Sequence, residues 1–537
     1  MADSALFDLR IEPWIPVRWL PTAPAELQQR AALGLCDLLT YAHQIVGPAI
    51  TVPPAESALW RVLYALTARI TGLDRKSGGT ASGAGKWSTR RLEILEHGNF
   101  DVEAISSYFD TEASSFRLYD PERPFLQDPR LAEQCPATVG VDKLVVTRPS
   151  GGNHAWFSRV DSTRRTPVSS AEAVLHLLVW RYYGASGICS SRQVEQTKEH
   201  NSTAGPLRAA LSYHPLAPTL FQSLLAGLAE PASDVDPQRD LCAWERRELL
   251  DPLGPRPAVT GPCSALTDQT SHAVLLLPDA TGRCVADAYV TWAFRTARPP
   301  TEDAYLIWQT SVAGNRYPRP AKSDRALWRD LDALLLVTSP TAGAPRRPEV
   351  FASAADVDEA EVTLRVRALG FDQDAQAKDR QFVTGTTPPV FGMFEETSPK
   401  RAGDAGFLRE KGESIGHRLD RATKTAWLSY TGGRRQDSKD IAWSRDAAAR
   451  YWPAAEDEFW RRLTAGDLTP ATAAEAVKAF RDIAERAYNE VTRSATVTRS
   501  GARAVETARI ELYRGRPDKN PRKTKGAGSG TDEGDDT

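Results

Sequence analysis

The spacing of apolar residues divides the chain into a mixed part and a helical part, with the change near residue 400. In the mixed part, apolar residues recur at three- and four-residue steps over 35–73, 90–95 and 170–183, which predicts helices. The Gly/Ser/Thr-rich stretch 77–88 predicts a loop between the first two of these helices. The range 230–390 is richer in patterns typical of strands.

One strand of that range is predicted from strict alternation. Val362, Leu364 and Val366 are apolar, and the residues between them are polar, which is typical of a strand buried on one face. Gly370 and Asp372 follow and predict a turn. We therefore expect an exposed polar turn at the end of this strand.

The C-terminal part has the pattern of successive amphipathic helices. Thr469 and Pro470 form a start signal, with Thr as the N-cap and Pro at the first helical position. The apolar stripe that follows is Val477, Phe480, Ala484, Ala487 and Val491. A preceding helix is predicted to be interrupted at Pro453, and a last one to stop at Gly515. Helices joined by short loops predict an antiparallel bundle.

These patterns predict an α+β protein with two ordered domains. A large mixed α/β N-terminal domain is expected over 1–395, and an antiparallel four-helix bundle over 396–515. The segment 516–537 is rich in Pro, Gly, Lys and Arg and then acidic, which predicts a disordered tail.

Composition restricts the functional classes without selecting one. The 537 residues have a formal net charge of −2, whereas a free-standing DNA-binding domain is usually basic. Any nucleic-acid role must therefore come from a local patch or be shared with partners. The six cysteines form no C-x-x-C pair, so a zinc ribbon is not indicated. Without a leader-like N-terminus or a long apolar run, we expect a cytoplasmic protein that does not contact a membrane.

No catalytic motif is evident. The glycine-rich stretch 79–87 differs from a P-loop in spacing, and Trp87 stands where Ser or Thr is needed. Ser186 lies in Gly-Ala-Ser-Gly, which is not a nucleophile elbow. Asp372 and Asp374 are close in sequence and could form a metal pair, but a solvated turn is the favoured interpretation. We expect no catalysis, no metal and no cofactor.

Five phrases along the chain are more specific than any catalytic motif in it. They are Glu12-Pro13-Trp14-Ile15-Pro16-Val17, Leu118 to Gln127, Leu266 to Gln269, Trp328 to Leu336, and Gly370-Phe371 followed by Gln376-Ala377-Lys378. Together, and in this order over roughly residues 7–515, they resemble the CasA family, the large subunit of the type I-E CRISPR surveillance complex called Cascade.

The resemblance implies a function in DNA recognition. In this family the large subunit checks a short protospacer-adjacent motif (PAM) in duplex DNA, largely from the minor groove, and helps to open the duplex. The implied partners are the backbone and small Cascade subunits, the 5′ handle of the CRISPR RNA, double-stranded target DNA and a recruited helicase–nuclease. Since base pairing reads the long sequence, the protein needs to read only a short tag.

The resemblance also implies a wedge on a hairpin. The family places a glutamine beside the PAM, at the first base pair to be unwound. The matching residues are Asp374-Ala375-Gln376-Ala377, with Gln376 as the wedge. Gln373 is the alternative wedge, and an ordinary polar turn is the alternative interpretation.

Two further groups of residues are implied beside the PAM. A glycine-rich loop, which lets the backbone approach the minor groove, matches Gly184-Ala185-Ser186-Gly187, although a helix C-cap followed by a loop explains the same residues. The family's lysine before the Trp308 segment is absent here. Arg295 and Arg298 are the cations available in its place, although either could be an ordinary surface arginine.

A fourth group is implied near the 5′ end of the CRISPR RNA. It consists of Asn153, Trp156, Phe157, Ser158 and Arg159. The aromatic pair can stack on bases or belong to the core. Two rival functions remain open from the residues alone, namely a metal-dependent nucleic-acid enzyme and a purely structural scaffold.

Overall fold

A computed structural model describes residues 7–76, 86–148, 166–299, 301–311, 313–336, 346–359, 362–373, 379–433 and 441–514. The chain divides into two compact units, Met1–Gly403 and Asp404–Thr537. The boundary falls inside a long helix.

The first unit mixes short helices with small antiparallel sheets. Its helices are α1 Ala25–Gln28, α2 Leu35–Thr40, α3 Pro53–Thr71, α4 Lys86–His97, α5 Val102–Thr111, α6 Leu131–Gln134, α7 Val141–Leu144, α8 Ser170–Tyr183, α9 Leu220–Ala226, α10 Pro262–Thr267, α11 Leu331–Leu335 and α12 Val350–Glu359. Its strands are β1 Ile15–Trp19, β2 Ala32–Leu33, β3 Ile45–Pro48, β4 Val168–Ser169, β5 Gly187–Val194, β6 Thr197–Ser202, β7 Leu211–Leu216, β8 His272–Pro278, β9 Cys284–Trp292, β10 Trp308–Thr310, β11 Arg316–Pro318, β12 Arg365–Gln373 and β13 Asp379–Thr386.

Three antiparallel sheets position the residues of the candidate functional site. One has the strand order β13-β12-β7, a second has the order β4-β9-β8, and β5 and β6 form a two-stranded ribbon. Helix α3 packs against α8 and β12, and α8 packs in turn against β8 and β9. The two three-stranded sheets are therefore connected through α3 and α8.

Helix α3 is buried on all sides from Pro53 to Ala68. A helix that is apolar around most of its circumference must be enclosed, and its few polar side chains must then be paired. The Arg61 guanidinium forms an ion pair with Asp303, with Nη1 2.5 Å from Oδ2. Glu56 accepts from Arg367 of β12 at 2.7 Å.

A hydroxyl network links the same helix to three other elements. The hydroxyls of Ser57 and Ser212 lie 2.8 Å apart, and Tyr183 donates to Ser57 at 3.0 Å. Ser212 in turn donates to the carbonyl of Leu369 in β12 at 3.0 Å. The ends of α8, β7 and β12 are thus held to one central helix.

The second unit is a bundle of antiparallel helices. Helix α13 spans Pro399–Thr431, α14 Ala442–Ala465, α15 Pro470–Thr492 and α16 Arg499–Arg509. Side-chain contacts run in opposite senses along each successive pair, which fixes the antiparallel order. The contacts are Tyr451 with Gly412 and Trp427 with Trp443 for α13 and α14, Arg450 with Glu490 and Arg462 with Glu475 for α14 and α15, and Asn489 with Arg509 and Glu485 with Tyr513, which follows α16, for the last pair. The predicted α+β class with a C-terminal helical bundle is confirmed.

Several predicted elements have the predicted bounds, because local capping fixes them. Helix α8 occupies Ser170–Tyr183 as predicted, although its N-cap is Ser169, whose hydroxyl accepts from the Glu172 N–H at 3.2 Å. Helix α15 begins at Pro470, and Thr469 caps it as predicted. The expected burial alternation at Val362, Leu364 and Val366 is confirmed, although the paired strand itself begins at Arg365.

Other predictions were wrong where tertiary packing overrides local signals. Strand β3 interrupts the helical region predicted over 35–73, and α4 begins at Lys86, inside the predicted loop. The indole of Trp87 is buried and donates to the Leu73 carbonyl at 2.9 Å. Gly370 and Asp372 lie inside β12 rather than in a turn. Glycine is needed at position 370 because a Cβ there would meet the Ala210 carbonyl oxygen at 2.7 Å. Helix α14 continues through Pro453.

The buried Arg61–Asp303 pair generates a test of this core. Replacing Asp303 by Ala leaves Arg61 charged and buried without a carboxylate, so we expect the free energy of unfolding to fall by about 3 kcal/mol. Arg283→Ala removes an exposed ion pair with Glu12 and is expected to cost no more than about 0.5 kcal/mol. Combining Arg61→Met with Asp303→Ala should restore much of the loss. Urea unfolding measures all three; equal stability of Asp303→Ala and Arg283→Ala would contradict the account.

Candidate functional site

The predicted glycine loop begins where α8 ends. Gly184 has φ −53° and ψ 141°, which is extended rather than helical, so α8 stops at Tyr183. A Cβ on Gly184 would lie 2.5 Å from the imidazole of His272 and 2.7 Å from the Trp180 carbonyl oxygen. No larger residue fits this position without moving the histidine or the helix.

Gly187, at the other end of the loop, is a glycine for a different reason. Its φ of +123° is a conformation that other residues rarely adopt, and no atom lies within 4 Å of where its Cβ would be. Gly187 is exposed, whereas Gly184 is buried. The loop is therefore fixed at its inner end and open at its outer end.

His272 holds the loop from beneath. This residue begins β8 and is 1% exposed. Its Nε2 lies 2.9 Å from the Ala185 carbonyl oxygen and 2.8 Å from the Ser202 hydroxyl of β6. Because a carbonyl oxygen can only accept, Nε2 carries the proton. Burial lowers the pKa of His272 to about 4, so the ring is neutral at pH 7.

Gln373 ties the glycine loop to the β12–β13 pair. This last residue of β12 is 7% exposed. Its Oε1 accepts from the Ala209 N–H at 3.3 Å, and its Nε2 donates to Asp379 Oδ1 at 2.7 Å and to the Tyr183 carbonyl at 3.5 Å. The amide is fully engaged inside the protein, so Gln373 supports the site and does not project from it.

Arg208 strengthens the same junction. Its guanidinium donates to the Tyr183 carbonyl at 3.2 Å and forms an ion pair with Asp379 at 2.8 Å. The residue before the glycine loop and the first residue of β13 are therefore joined twice. Asp374, Ala375, Gln376 and Ala377 connect β12 to β13 and lie outside the described residues.

The two candidate arginines differ in availability. Arg295 is 35% exposed and donates to the Asn201 carbonyl of β6 at 3.0 Å, with its guanidinium 5.3 Å from the centre of the Trp292 ring. Arg298 donates to the Ala204 carbonyl at 2.7 Å and the Ser271 hydroxyl at 3.2 Å, and burial lowers its pKa. Arg295 faces solvent in part, and Arg298 holds two chain segments together.

The β5–β6 ribbon is anchored from the opposite side by Arg192. This arginine is fully buried, donates to the Trp292 carbonyl at 3.0 Å and pairs with Asp128 at 2.6 Å. Its guanidinium lies 5.1 Å from the centre of the Trp292 ring, which Arg295 also contacts. The Trp292 ring thus lies next to both Arg192, which anchors the ribbon, and the partly exposed Arg295.

The structure brings together two of the four predicted groups and the strand ends that flank a third, whose residues Asp374, Ala375, Gln376 and Ala377 lie outside the described part of the chain. The glycine loop, the base of the β12–β13 connection and the Arg295–Arg298 segment meet at Tyr183, Gln373 and β6. The fourth group, Asn153, Trp156, Phe157, Ser158 and Arg159, lies outside the described residues. Sequence reasoning missed His272 and Arg208, whose partners are far away in the chain.

Two kinds of feature are absent from the described residues. Among these side chains, no three His, Cys, Asp or Glu residues lie close enough to share a metal ion. In the parts of the chain that the structure describes, no helix has both the length and the apolar content needed to cross a bilayer.

Comparison with known proteins gives consistent matches over most of the chain. The family model described as CRISPR-associated protein Cse1 matches residues 8–493. A curated relative, "CRISPR-associated protein CasA/Cse1" of Thermus thermophilus, is 24% identical over 343 residues. That alignment covers 62% of this chain and 61% of the relative's length.

Solved structures match over nearly the full length. A chain of a "CRISPR RNA-guided surveillance complex" is 40% identical with a TM-score of 0.81, covering 95% of this chain and 99% of that one. A chain of a "CRISPR RNA-guided surveillance complex, pre-nicking" is 39% identical with a TM-score of 0.75, covering 94% and 98%.

The buried imidazole beneath the loop predicts a specific pH dependence. The folded pKa of His272 is about 4 and the ordinary value is 6.5, so the unfolded chain binds a proton first as pH falls. Stability is full above about pH 6.5 and falls towards pH 4, with a His272 contribution of about 2 kcal/mol lost at pH 5. His272→Gln should reduce this loss, whereas exposed His200→Gln should retain it. Urea unfolding at pH 7 and pH 5 measures both, and identical pH dependence in the two variants would be incompatible with this assignment.

Proposed function

Because the chain belongs to the Cse1 family of CRISPR-associated proteins, we propose that it is the non-catalytic large subunit of a type I-E Cascade complex. In this role it recognises the PAM in double-stranded target DNA through the minor groove and promotes duplex opening. The guide RNA then pairs with one strand to form an R-loop. The observation that carries the proposal is the junction at Tyr183, which joins the glycine loop to the base of the β12–β13 connection.

The glycine loop suits close approach to a groove. The minor groove is only about 6 Å wide, so a reading element must be slim. Gly187 leaves its outer face open, and His272 fills the space behind Gly184. The loop is packed against His272 on its inner side and has no side chain at Gly187 on its outer side. This arrangement supports contact through the backbone of Gly184, Ala185, Ser186 and Gly187.

Arg295 supplies the positive charge that this groove attracts. Narrow minor grooves have enhanced negative potential and bind arginine side chains. The Arg295 guanidinium is fixed to the β6 backbone and lies 3.9 Å from the Glu199 carboxylate, yet about a third of the side chain remains exposed. Arg298 contributes indirectly, because it holds the Ala204 segment in place.

Gln376 is the proposed wedge, with Asp374, Ala375 and Ala377 beside it. The connection that carries these residues is mounted on Gln373 and Asp379, which are bonded to each other, to Ala209 and to Arg208. A wedge must transmit force to the base pair without yielding, so a rigid base favours this role. The Gln376 amide can bond to the edges of bases that have lost their pairing.

Three further roles complete the proposal. The segment Asn153–Arg159 contacts the CRISPR RNA near its 5′ handle, with Trp156 and Phe157 as stacking groups. The helical bundle contacts neighbouring Cascade subunits, and the assembled complex recruits a separate helicase–nuclease. We place the domain boundary near residue 395 and a tail after residue 515.

The test is binding of reconstituted Cascade, with and without this subunit, to guide-matched duplexes that carry randomised flanks. We expect binding to depend on the flank only when the subunit is present. Gln376→Ala should weaken binding to the preferred flank about tenfold, as loss of one critical contact does. The matched control is Gln381→Ala, an exposed glutamine of β13 in the same pair of strands, which should bind like the unmodified complex.

Two outcomes would contradict the proposal. An unchanged flank preference without the subunit would leave the chain as a scaffold. Metal-dependent cleavage of DNA by the purified chain would instead indicate a nucleic-acid enzyme. Gln373→Ala removes hydrogen bonds that support the junction at Tyr183. We expect this variant to weaken binding of the complex to target DNA without abolishing it.

A further inference from the structure

The β5–β6 ribbon carries a solvent-exposed isoleucine next to the glycine loop. Ile188 follows Gly187 directly, and 80% of it is exposed. A single exposed apolar residue needs no explanation by itself. Ile188 differs because of its neighbours, since the residue before it belongs to the loop and the residue across from it belongs to β6.

Ile188 and Asn201 form one pair of the ribbon. They are directly opposed across the antiparallel strands, and the adjacent pair is Gly187 with Ser202. Directly opposed side chains lie on the same face of a ribbon. Within the described residues the Asn201 side-chain amide has no partner, although its backbone carbonyl accepts from Arg295. An apolar side chain, an amide and a guanidinium therefore lie side by side.

The ribbon holds this pair rigidly. The register between β5 and β6 shifts between Ile188 and Arg192, which is a bulge, and bulges re-aim side chains. Behind the bulge, the Thr291 hydroxyl donates to the Ser190 carbonyl at 2.6 Å, and Arg192 is fully buried. On the other side Ser202 contacts His272, the residue that holds the glycine loop. The pair and the loop thus share one support.

We propose that Ile188 and Asn201 form a second DNA contact, in the minor groove of the duplex next to the glycine loop. Proteins that bind this groove combine Arg, Lys, Asn or Gln with an apolar side chain that packs against or between base steps. In this contact Ile188 is the apolar element. The Asn201 amide donates to the acceptors that every A·T pair presents at adenine N3 and thymine O2. The inference rests on the proposed function and adds two residues that determine its specificity.

The pair is distinct from the wedge in what it does. Gln376 acts on the first base pair to be unwound, whereas Ile188 and Asn201 touch a duplex that stays paired. Loss of Ile188 should therefore weaken binding to an intact duplex and to a target already melted along the guide-matched region by the same factor, because the flank is double-stranded in both. Loss of Gln376 should matter only for the intact duplex. Loss of Asn201 should chiefly reduce discrimination between A·T and G·C pairs in the flank.

The experiment uses reconstituted Cascade with Ile188→Ala or Asn201→Ala. Each has a matched control of the same residue type on an exposed surface, Ile11→Ala, which is 68% exposed in the native chain, and Asn315→Ala. We expect Ile188→Ala to weaken binding to the preferred duplex about tenfold, and Asn201→Ala to reduce the ratio between preferred and substituted flanks by about the same factor. The controls should match the unmodified complex, and all four variants should melt at its temperature.

The possible failures are distinguishable. If flank preference requires the subunit and Gln376→Ala weakens binding, but Ile188→Ala and Asn201→Ala behave like their controls, this inference is overturned and the proposed function stands. If flank preference persists without the subunit, both are overturned. Weakening by Ile188→Ala on the intact target but not on the melted one would also overturn it, since the side chain would then act in duplex opening and not on the paired flank.

Discussion

The enclosure of α3 is the constraint on which the rest of the first unit depends. A helix buried along Pro53–Ala68 brings Glu56, Ser57 and Arg61 into a medium where unpaired polar groups are costly. Their partners come from β12, β7, α8 and the Asp303 segment, so pairing them fixes those elements. Since α8 ends at the glycine loop and β12 ends at Gln373, the core sets the spacing within the site.

The candidate site is held in the same way, by hydrogen bonds and packing that involve few charged groups. The carbonyl of Tyr183 receives both Gln373 and Arg208, and a neutral His272 closes the space behind Gly184. We propose that such a site reads the shape of DNA through its backbone, which fits a chain whose net charge is −2 and which leaves most phosphate contacts to the RNA-bearing partners proposed above.

Local sequence signals were sufficient to predict helices whose N-cap residue directly precedes them. Ser169 and Thr469 accept from their own helices, so α8 and α15 could be predicted from a few neighbouring residues. Gly370 was wrongly predicted to lie in a turn, because a glycine inside a strand can also mark a place where another backbone segment comes close. Here the carbonyl of Ala210 comes close to Gly370. The positions of Gln373 and His272 could not be predicted, because all the partners of their side chains except Asp379 lie between 70 and 190 residues away. The loop residues themselves were found through resemblance, and their support was found only in the structure.

The most direct measurement separates the two grooves of the flanking DNA. Replacing guanine by inosine, or adenine by 2,6-diaminopurine, changes only the minor-groove amino group, whereas 7-deazapurines change only the major groove. Binding of reconstituted Cascade to the preferred flank is measured with each substitution. The account predicts that the minor-groove substitutions alter the affinity and that the 7-deazapurines leave it unchanged. The reverse pattern would contradict the central claim that this chain reads the flank from the minor groove.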